Sequence, residues 1–218
     1  MTQSVRTVYS GGTGEITEKK SRFIATVAPV SSEEAALEFI EQLRKKYWDA
    51  SHNCSAYVIG YKDEIQRCSD DGEPSKTAGR PILDVLLGEE IHNAVVVVTR
   101  YFGGTLLGTG GLVRAYQSAA REGLKQSILI EKIHGHKVHV ITDYNGIGKI
   151  QYITSQSGIT ILNSDYTDIV TLTLIVPDGL YDVFKKKATE ATNGKAQISK
   201  ESGLYFASIN GKVELFDS

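Results

Sequence analysis

The chain has 218 residues, of which 41% are hydrophobic and 23% charged, and its formal net charge is −2. This composition excludes a disordered or fibrous chain, and the length suits one large domain or two small ones. The charge is balanced alike on both sides of residue 133, which excludes a general polycation, so any nucleic-acid contact must come from a local patch.

The first part of the chain alternates predicted strands and helices up to a boundary at His134-Gly135. Apolar residues at helical spacing predict a helix after the capping segment 31–34. A second helix, Gly79 to Leu87, has Pro81 in its first turn, where a missing N–H costs nothing. A glycine-rich loop then leads into a long helix from Leu112 to about Ile130. The strands of this part are predicted at 21–30, 53–60, 65–69 and 94–99.

The second part has the order strand, helix, strand, strand, helix, strand. Asn145-Gly146 begins a helix that Gly158 is placed to end, and residues 180–192 form the second helix. The strands are predicted at 137–142, 159–164, 169–176 and 203–209. This is the ferredoxin-like βαββαβ plan. We therefore predict an α+β protein with two domains, residues 1–133 and 134–218.

The segments 70–81 and 100–116 carry the main functional signal. In the second, five glycines lie between a buried strand and a helix, an arrangement that directs backbone N–H groups and the helix dipole at an anion. Neither common nucleotide motif is present. Thr109-Gly110 stands where a P-loop requires Lys-Ser/Thr, and Val113 occupies the third glycine position of a dinucleotide fingerprint.

The charges around this loop favour an anionic ligand. No Asp or Glu occurs between Glu90 and Glu122, and Arg114 and Arg121 share one face of the predicted long helix. Such a face could bind a phosphate backbone while Tyr101 stacks on a base. The alternative, that the glycines only form turns and the arginines are solvated, stays open. The predicted ligand- or nucleic-acid-binding residues are Arg80, Arg100, Tyr101, Gly103, Gly104, Gly108, Gly110, Gly111, Arg114 and Arg121.

Other candidate sites are weaker, and no catalytic residue, metal or cofactor is predicted. Asp70, Asp71 and Glu73 could hold a divalent cation, but an acid-rich turn that pairs with Arg80 is the better interpretation. His52 and Cys54 share a strand face without a third group to orient them. Three histidines lie at 134, 136 and 139, but the third points to the opposite side of its strand from the other two.

The expected setting is the cytoplasm. Cys54 and Cys68 are too few for a disulfide framework and are interpreted as reduced thiols. We expect no signal peptide, and the strongest apolar run, Ala94 to Val98, is far too short for a membrane anchor.

Both functional segments, together with Ser51 to Tyr57, resemble the Impact (YigZ) family over nearly the whole chain. The resemblance implies a first domain similar to a ribosomal-protein fold also seen as domain IV of elongation factor G, and a second similar to domain V. Eukaryotic members regulate translation by competing for the activator of an initiation-factor kinase. No catalytic residues are established to carry over. Lys76 departs from many relatives, which have Gly or Ala there.

We therefore expect a translation-associated regulatory or binding protein. Its glycine- and arginine-rich surface would contact RNA, the ribosome or an acidic protein partner. The alternative is an enzyme that acts on a phosphorylated or nucleotide substrate at the same loop.

Overall fold

The computed structural model describes residues 4–216, which form two compact units. The first comprises residues 5–131 and the second begins at Lys132. No helix in the described range is both long and apolar enough to cross a membrane.

The first unit is built on an antiparallel five-stranded sheet in the order β2-β3-β7-β4-β5. A short parallel pair, β1 with β6, lies outside it. The strands are β1 (Ser4–Ser10), β2 (Thr13–Glu18), β3 (Ser21–Pro29), β4 (His52–Ile59), β5 (Ile65–Ser69), β6 (Ile91–His92) and β7 (Ala94–Tyr101). The helices are α1 (Glu33–Lys46), α2 (Gly79–Gly88) and α3 (Gly108–Lys125).

The five-stranded sheet is covered on both faces. Val96 and Val98 of the central strand β7 join the cluster that includes side chains of α2 and α3, whereas Val95 and Val97 join the cluster that includes side chains of α1. Because successive residues of a strand point to opposite faces, a strand buried on both sides reads as an uninterrupted apolar run. This layering explains why Ala94 to Val98 contains no polar residue.

The long helix of this unit differs from prediction at both ends, and it begins at Gly108 rather than Leu112. The long helix predicted to reach about Ile130 ends at Lys125, and a new strand begins at Ile128. The β-branched residues Ile128 and Ile130 favour a strand over a continued helix. Strands β1 and β2 were not predicted, because only part of each is buried and the apolar alternation is weak.

The second unit has the strand order β9-β10-β8-β11-β12, with all neighbours antiparallel. In chain order its first four strands therefore lie as 4-1-3-2, in agreement with the βαββαβ plan. The strands are β8 (Ile128–Thr142), β9 (Thr160–Tyr166), β10 (Val170–Pro177), β11 (Gln197–Ile209) and β12 (Lys212–Phe216). The helices are α4 (Tyr144–Ser157) and α5 (Asp178–Ala191).

The limits of α4 follow from its capping residues. Asp143 accepts a hydrogen bond from the amide of Gly146, and Gly158 ends the helix in the left-handed conformation, with φ of 64°. Ile150 of α4 and Phe184 of α5 are buried with the strands in one core.

A fifth strand, β12, adds to the four that were predicted. The proposed domain division at residue 133 falls within β8 and stays a prediction.

Candidate functional site

The two functional segments meet around one cleft of about 540 Å³ in the first unit. Its polar floor includes His52, Glu73 and Arg100, and its walls are largely apolar. We call it the cleft throughout. Its lining residues are Ser51, His52, Gly72, Glu73, Pro74, Arg100, Phe102, Leu106, Leu107, Gly108, Thr109 and Leu112.

The Asp70 carboxylate organises the turn that borders the cleft. It accepts backbone N–H groups from Lys76, Ala78 and Gly79 at 2.8–3.0 Å. No side chain of the α2 N-cap residue caps that helix, so Asp70 supplies the acceptor that its first amides need. Asp71 is also engaged, accepting from the Asn53 amide at 2.6 Å and from Arg44 at 3.0 Å.

Lys76 contributes its backbone rather than its charge to this turn. Its φ is 63°, in the left-handed region that favours glycine, and its side chain is exposed. This geometry would suit glycine at the position but not alanine.

A buried ion pair forms the floor of the cleft. Nη1 of Arg100 lies 2.5 Å from Oε1 of Glu73, and the Tyr116 hydroxyl donates to the same oxygen at 2.8 Å. The side chains of Arg100 and Glu73 are only 6% and 3% exposed. The guanidinium also lies 5.4 Å and 5.5 Å from the ring centres of Phe23 and Phe102.

His52 and Cys54 lie on the predicted common face but have different surroundings. Nδ1 of His52 contacts the carbonyl oxygen of Asp71 at 2.8 Å, and Nε2 lies 3.9 Å from Glu73. The Cys54 thiol donates to the Asp70 carbonyl at 3.0 Å and lies 3.3 Å from the Tyr116 hydroxyl. Burial raises the pKa of this thiol far above its usual range, so it is no activated nucleophile.

The five predicted glycines occupy the loop and the first turn of α3. Gly103 donates to the Ser21 hydroxyl, and its Cα lies so close to the backbone of Lys20 that a Cβ would clash. Gly108 begins α3 and borders the cleft, with φ of 70°. No side chain caps the helix and no acid lies in its first turn, so its first amides have neither a side-chain acceptor nor a counter-charge among the described residues. Gly104 is exposed in the loop, and Gly110 and Gly111 lie in the first turn.

Arg114 and Arg121 lie on the exposed side of α3 with Ser118 and Lys125, as the spacing predicted. We call these four residues the arginine face. Neither arginine forms an ion pair with any residue in the described range 4–216. A guanidinium nitrogen of Arg114 lies 3.5 Å from the position a Cβ would take on Gly110, which places this charge beside the α3 N-terminus.

Two other predicted residues are engaged elsewhere in the same unit. Arg80 pairs with Asp84 one turn along α2, not with the acidic turn. The Tyr101 hydroxyl donates to Asp49 at 2.9 Å, and Arg22 lies over its ring. Among the aromatic residues of the predicted segment, Phe102 is the more exposed, at 49%.

The weaker metal candidates form ordinary polar contacts. Throughout the described residues there is no group of three or more His, Cys, Asp or Glu arranged to hold a metal ion. His134 and His136 both contact Asp178, whereas His139 contacts Glu201.

The Arg100–Glu73 pair is the feature that sequence reasoning missed. Both residues were noted, Arg100 as an anion contact and Glu73 as part of an acidic turn. Their pairing depends on β7 and the turn after β5 meeting in the fold, although the residues are 27 apart in sequence. One usable signal was the position of Arg100 directly after a wholly buried run, because a charge there needs a partner.

Two family profiles match the chain: the Impact N-terminal domain over residues 19–124, and the Domain of unknown function (DUF1949) over residues 140–195. IMPACT family member YvyE of Bacillus subtilis is 43% identical over 206 residues, covering 94% of each chain. IMPACT family member YigZ of Escherichia coli is 38% identical, covering 83% of this chain and 89% of the relative. Protein IMPACT of Mus musculus is 40% identical over 98 residues, which are 43% of this chain and 30% of the mouse protein.

A solved structure titled "Crystal structure of an hypothetical protein" matches with a TM-score of 0.59 at 34% identity, over 93% of this chain and 99% of that chain. The similarity to the two bacterial relatives and to this structure thus extends across both units.

Proposed function

The chain belongs to the Impact family, and from that membership and the arginine face we propose that it is a translation-associated regulatory protein that contacts RNA through the Gly103–Arg121 segment. The translational role rests on the resemblance to eukaryotic members that regulate translation. The likeness of the two units to domains IV and V of elongation factor G stays a prediction that agrees with such a role.

The observation that carries the RNA contact is the unpaired charge of Arg114 and Arg121. Residues 91–121 contain no acid. Two acids near Arg121 are paired elsewhere: Glu122 with Lys125, and Glu89, which lines the same small pocket, with Arg6. Arg114 also lies beside the α3 N-terminus, where the positive end of the helix dipole adds to its field. Two guanidinium groups about two helical turns apart on one face suit successive phosphates of a nucleic-acid backbone.

Phosphate contacts position a protein without reading sequence, so binding through this face is expected to tolerate many RNA sequences. Tyr101 is already held by Asp49 and Arg22, which reduces its availability for stacking on a base. The proposed affinity therefore comes mainly from charge rather than from aromatic stacking.

Fluorescence anisotropy with labelled single-stranded RNA at physiological salt tests the proposal. The double variant R114A/R121A should weaken binding about tenfold or more, and equally for different sequences. K185A/K186A is the matched control, because it removes two exposed charges from α5 and should leave binding unchanged.

Equal RNA binding by the wild type and a folded R114A/R121A variant would contradict the proposal. So would an absence of RNA binding by the wild type combined with loss of an acidic protein partner in the double variant. That second result would identify the face as a protein-interaction surface.

A further inference from the structure

The cleft has features of a small-molecule site that the proposed phosphate contacts of Arg114 and Arg121 do not use. Its volume of about 540 Å³ lies within the range of roughly 300–1,000 Å³ that ligand pockets occupy. Its walls present Phe102, Leu106, Leu107 and Leu112, and polar groups converge on its floor. Neither Arg114 nor Arg121 lines it.

Arg100 is the first polar group that points to a ligand. The residue is 5% exposed and lines the cleft, yet within the described residues its buried Nε has no hydrogen-bond partner. A buried N–H without an acceptor destabilises the folded state. The desolvation penalty of a buried ion pair can also exceed the energy gained from the attraction between its charges. A ligand acceptor would offset part of this cost once a small shift of the side chain opens the buried Nε to the cleft.

His52 provides a second polar group with a defined role. A carbonyl oxygen only accepts, so Nδ1 must carry the hydrogen in its contact with Asp71. In the tautomer with the hydrogen on Nδ1, Nε2 carries a lone pair, and it lies 3.9 Å from Glu73, too far for a hydrogen bond. His52 can therefore accept a hydrogen bond from a hydroxyl or amine of a molecule in the cleft.

The first turn of α3 supplies a third group. Gly108 and Thr109 line the cleft mouth, and this turn carries neither a side-chain cap nor an acid. Its amides are donors suited to an anionic oxygen. The donors of α3 and Arg100 thus border the same space as the apolar wall.

We propose that the cleft binds a small molecule that carries one anionic group, a carboxylate or a phosphate monoester, on an apolar ring-sized body. The anionic oxygens contact the α3 amides and Arg100, the body packs against Phe102 and the leucines, and Nε2 of His52 orients a polar substituent. Because Glu73 neutralises Arg100, binding depends on directed donors more than on net charge. It should therefore be less sensitive to salt than RNA binding.

Titration of the 15N-labelled full-length chain, followed by NMR, tests the proposal with four probes. Phenyl phosphate and benzoate separate the two kinds of anion, inorganic phosphate lacks the ring, and phenol lacks the charge. We expect saturable shifts of the Gly108 and Thr109 amides with phenyl phosphate or benzoate. Inorganic phosphate and phenol should each bind at least about tenfold more weakly, because each loses one half of the contacts.

Variants of one loop locate the binding. Thr109→Glu places a negative charge in the first turn of α3, which favours the helix but repels an anion, so affinity should fall about tenfold or more. Thr105→Glu is the matched control, since Thr105 is exposed on the same loop and does not line the cleft, and it should change affinity little.

No saturable shift with either phenyl phosphate or benzoate, or equal effects of the two Thr→Glu changes, would overturn the proposal. The outcome is independent of the RNA proposal. The variant R121A, changed about three and a half helical turns from the α3 N-terminus, should weaken RNA binding but keep phenyl phosphate or benzoate. Loss of one kind of binding therefore leaves the test of the other intact.

Discussion

The buried carboxylate of Glu73 holds two side chains, Arg100 and Tyr116. Glu73→Gln would leave the guanidinium buried without a counter-ion and should lower the free energy of unfolding by about 3–5 kcal/mol. Tyr116→Phe removes one hydrogen bond to a charged group, while the ring can still pack edge-on against Phe23, so the loss should be about 1.5–3 kcal/mol. Urea unfolding measures both, and a Glu73→Gln loss no larger than that of Tyr116→Phe would contradict the assigned role of the pair.

The Cys54 thiol should make stability depend on pH in the alkaline range. Burial raises its pKa above the ordinary value of about 8.5, so above that pH the unfolded chain loses a proton that the folded chain keeps. The contribution of the thiol to stability is full below about pH 8.5 and is lost as the pH rises, by up to about 1.4 kcal/mol per pH unit.

Cys54→Ala removes this titration and should flatten the decline in unfolding free energy between about pH 8 and pH 10. Cys68→Ala is the control, because Cys68 is exposed and should contribute less to the decline. An equal decline in the wild type and in Cys54→Ala, measured by urea unfolding, would argue against the buried thiol as its source.

For single residues, the sequence indicated which ones lie at the site more reliably than it indicated their interaction partners. Gly108 and Arg100 were expected at an anion site, and both line the cleft, although anion binding itself stays a prediction. The predicted pairing of Arg80 with the acidic turn was wrong. Arg80 pairs with Asp84, four residues further along the same helix, and the Asp70 carboxylate of the turn already accepts hydrogen bonds from backbone N–H groups. Local spacing is readable from sequence, whereas long-range pairing requires the fold.

Helix α3 packs closely on β3 at Gly123. A Cβ added there would lie 2.9 Å from the Cβ of Ala25 and 3.1 Å from a methyl carbon of Val27. Gly123→Ala should therefore destabilise the protein by about 1–3 kcal/mol, although helix propensity alone favours alanine by about 1 kcal/mol.

Gly110→Ala, in the same helix, is the matched control. The nearest atom outside the local helix backbone to its added Cβ is a guanidinium nitrogen of Arg114 at 3.5 Å, an ordinary contact. This change should be neutral or stabilise by up to about 1 kcal/mol. If thermal unfolding shows the same sign for both substitutions, the close packing of α3 on β3 does not control stability.

Elements with strong caps and clear periodicity were predicted best. Ser32 caps α1 and Gly158 ends α4, as their residue types indicated. The end of α3 was placed too late, because Gln126 and Ser127 carry no helix-stopping glycine or proline and the change to a strand appears only in the following β-branched residues. Strand β12 was not predicted, since its five residues, Lys212–Phe216, alternate only weakly.

Over the whole molecule, each unit has its own core. The α+β class and the βαββαβ order of the second unit were readable from the alternation of strand and helix patterns. The exact division, proposed at residue 133, stays a prediction, because β8 runs continuously across residues 128–142 and no break in composition marks the change of unit.

The near-neutral net charge of −2 also shapes the functional account. A chain without general positive charge can bind RNA only where cations are concentrated. On the arginine face, Arg114 and Arg121 form no ion pair within the described residues, whereas Lys125 pairs with Glu122. Under the proposed function, Arg114 and Arg121 are the cations that neutralise phosphates.

The salt dependence of RNA binding tests this claim most directly. Anisotropy titrations across a range of salt concentrations yield the slope of log affinity against log salt for the wild type, R114A/R121A and K185A/K186A. Loss of two phosphate contacts on a single strand should flatten the slope by roughly 1.4 units in R114A/R121A and leave K185A/K186A at the wild-type value. An R114A/R121A variant that is folded and keeps the wild-type slope would contradict the account.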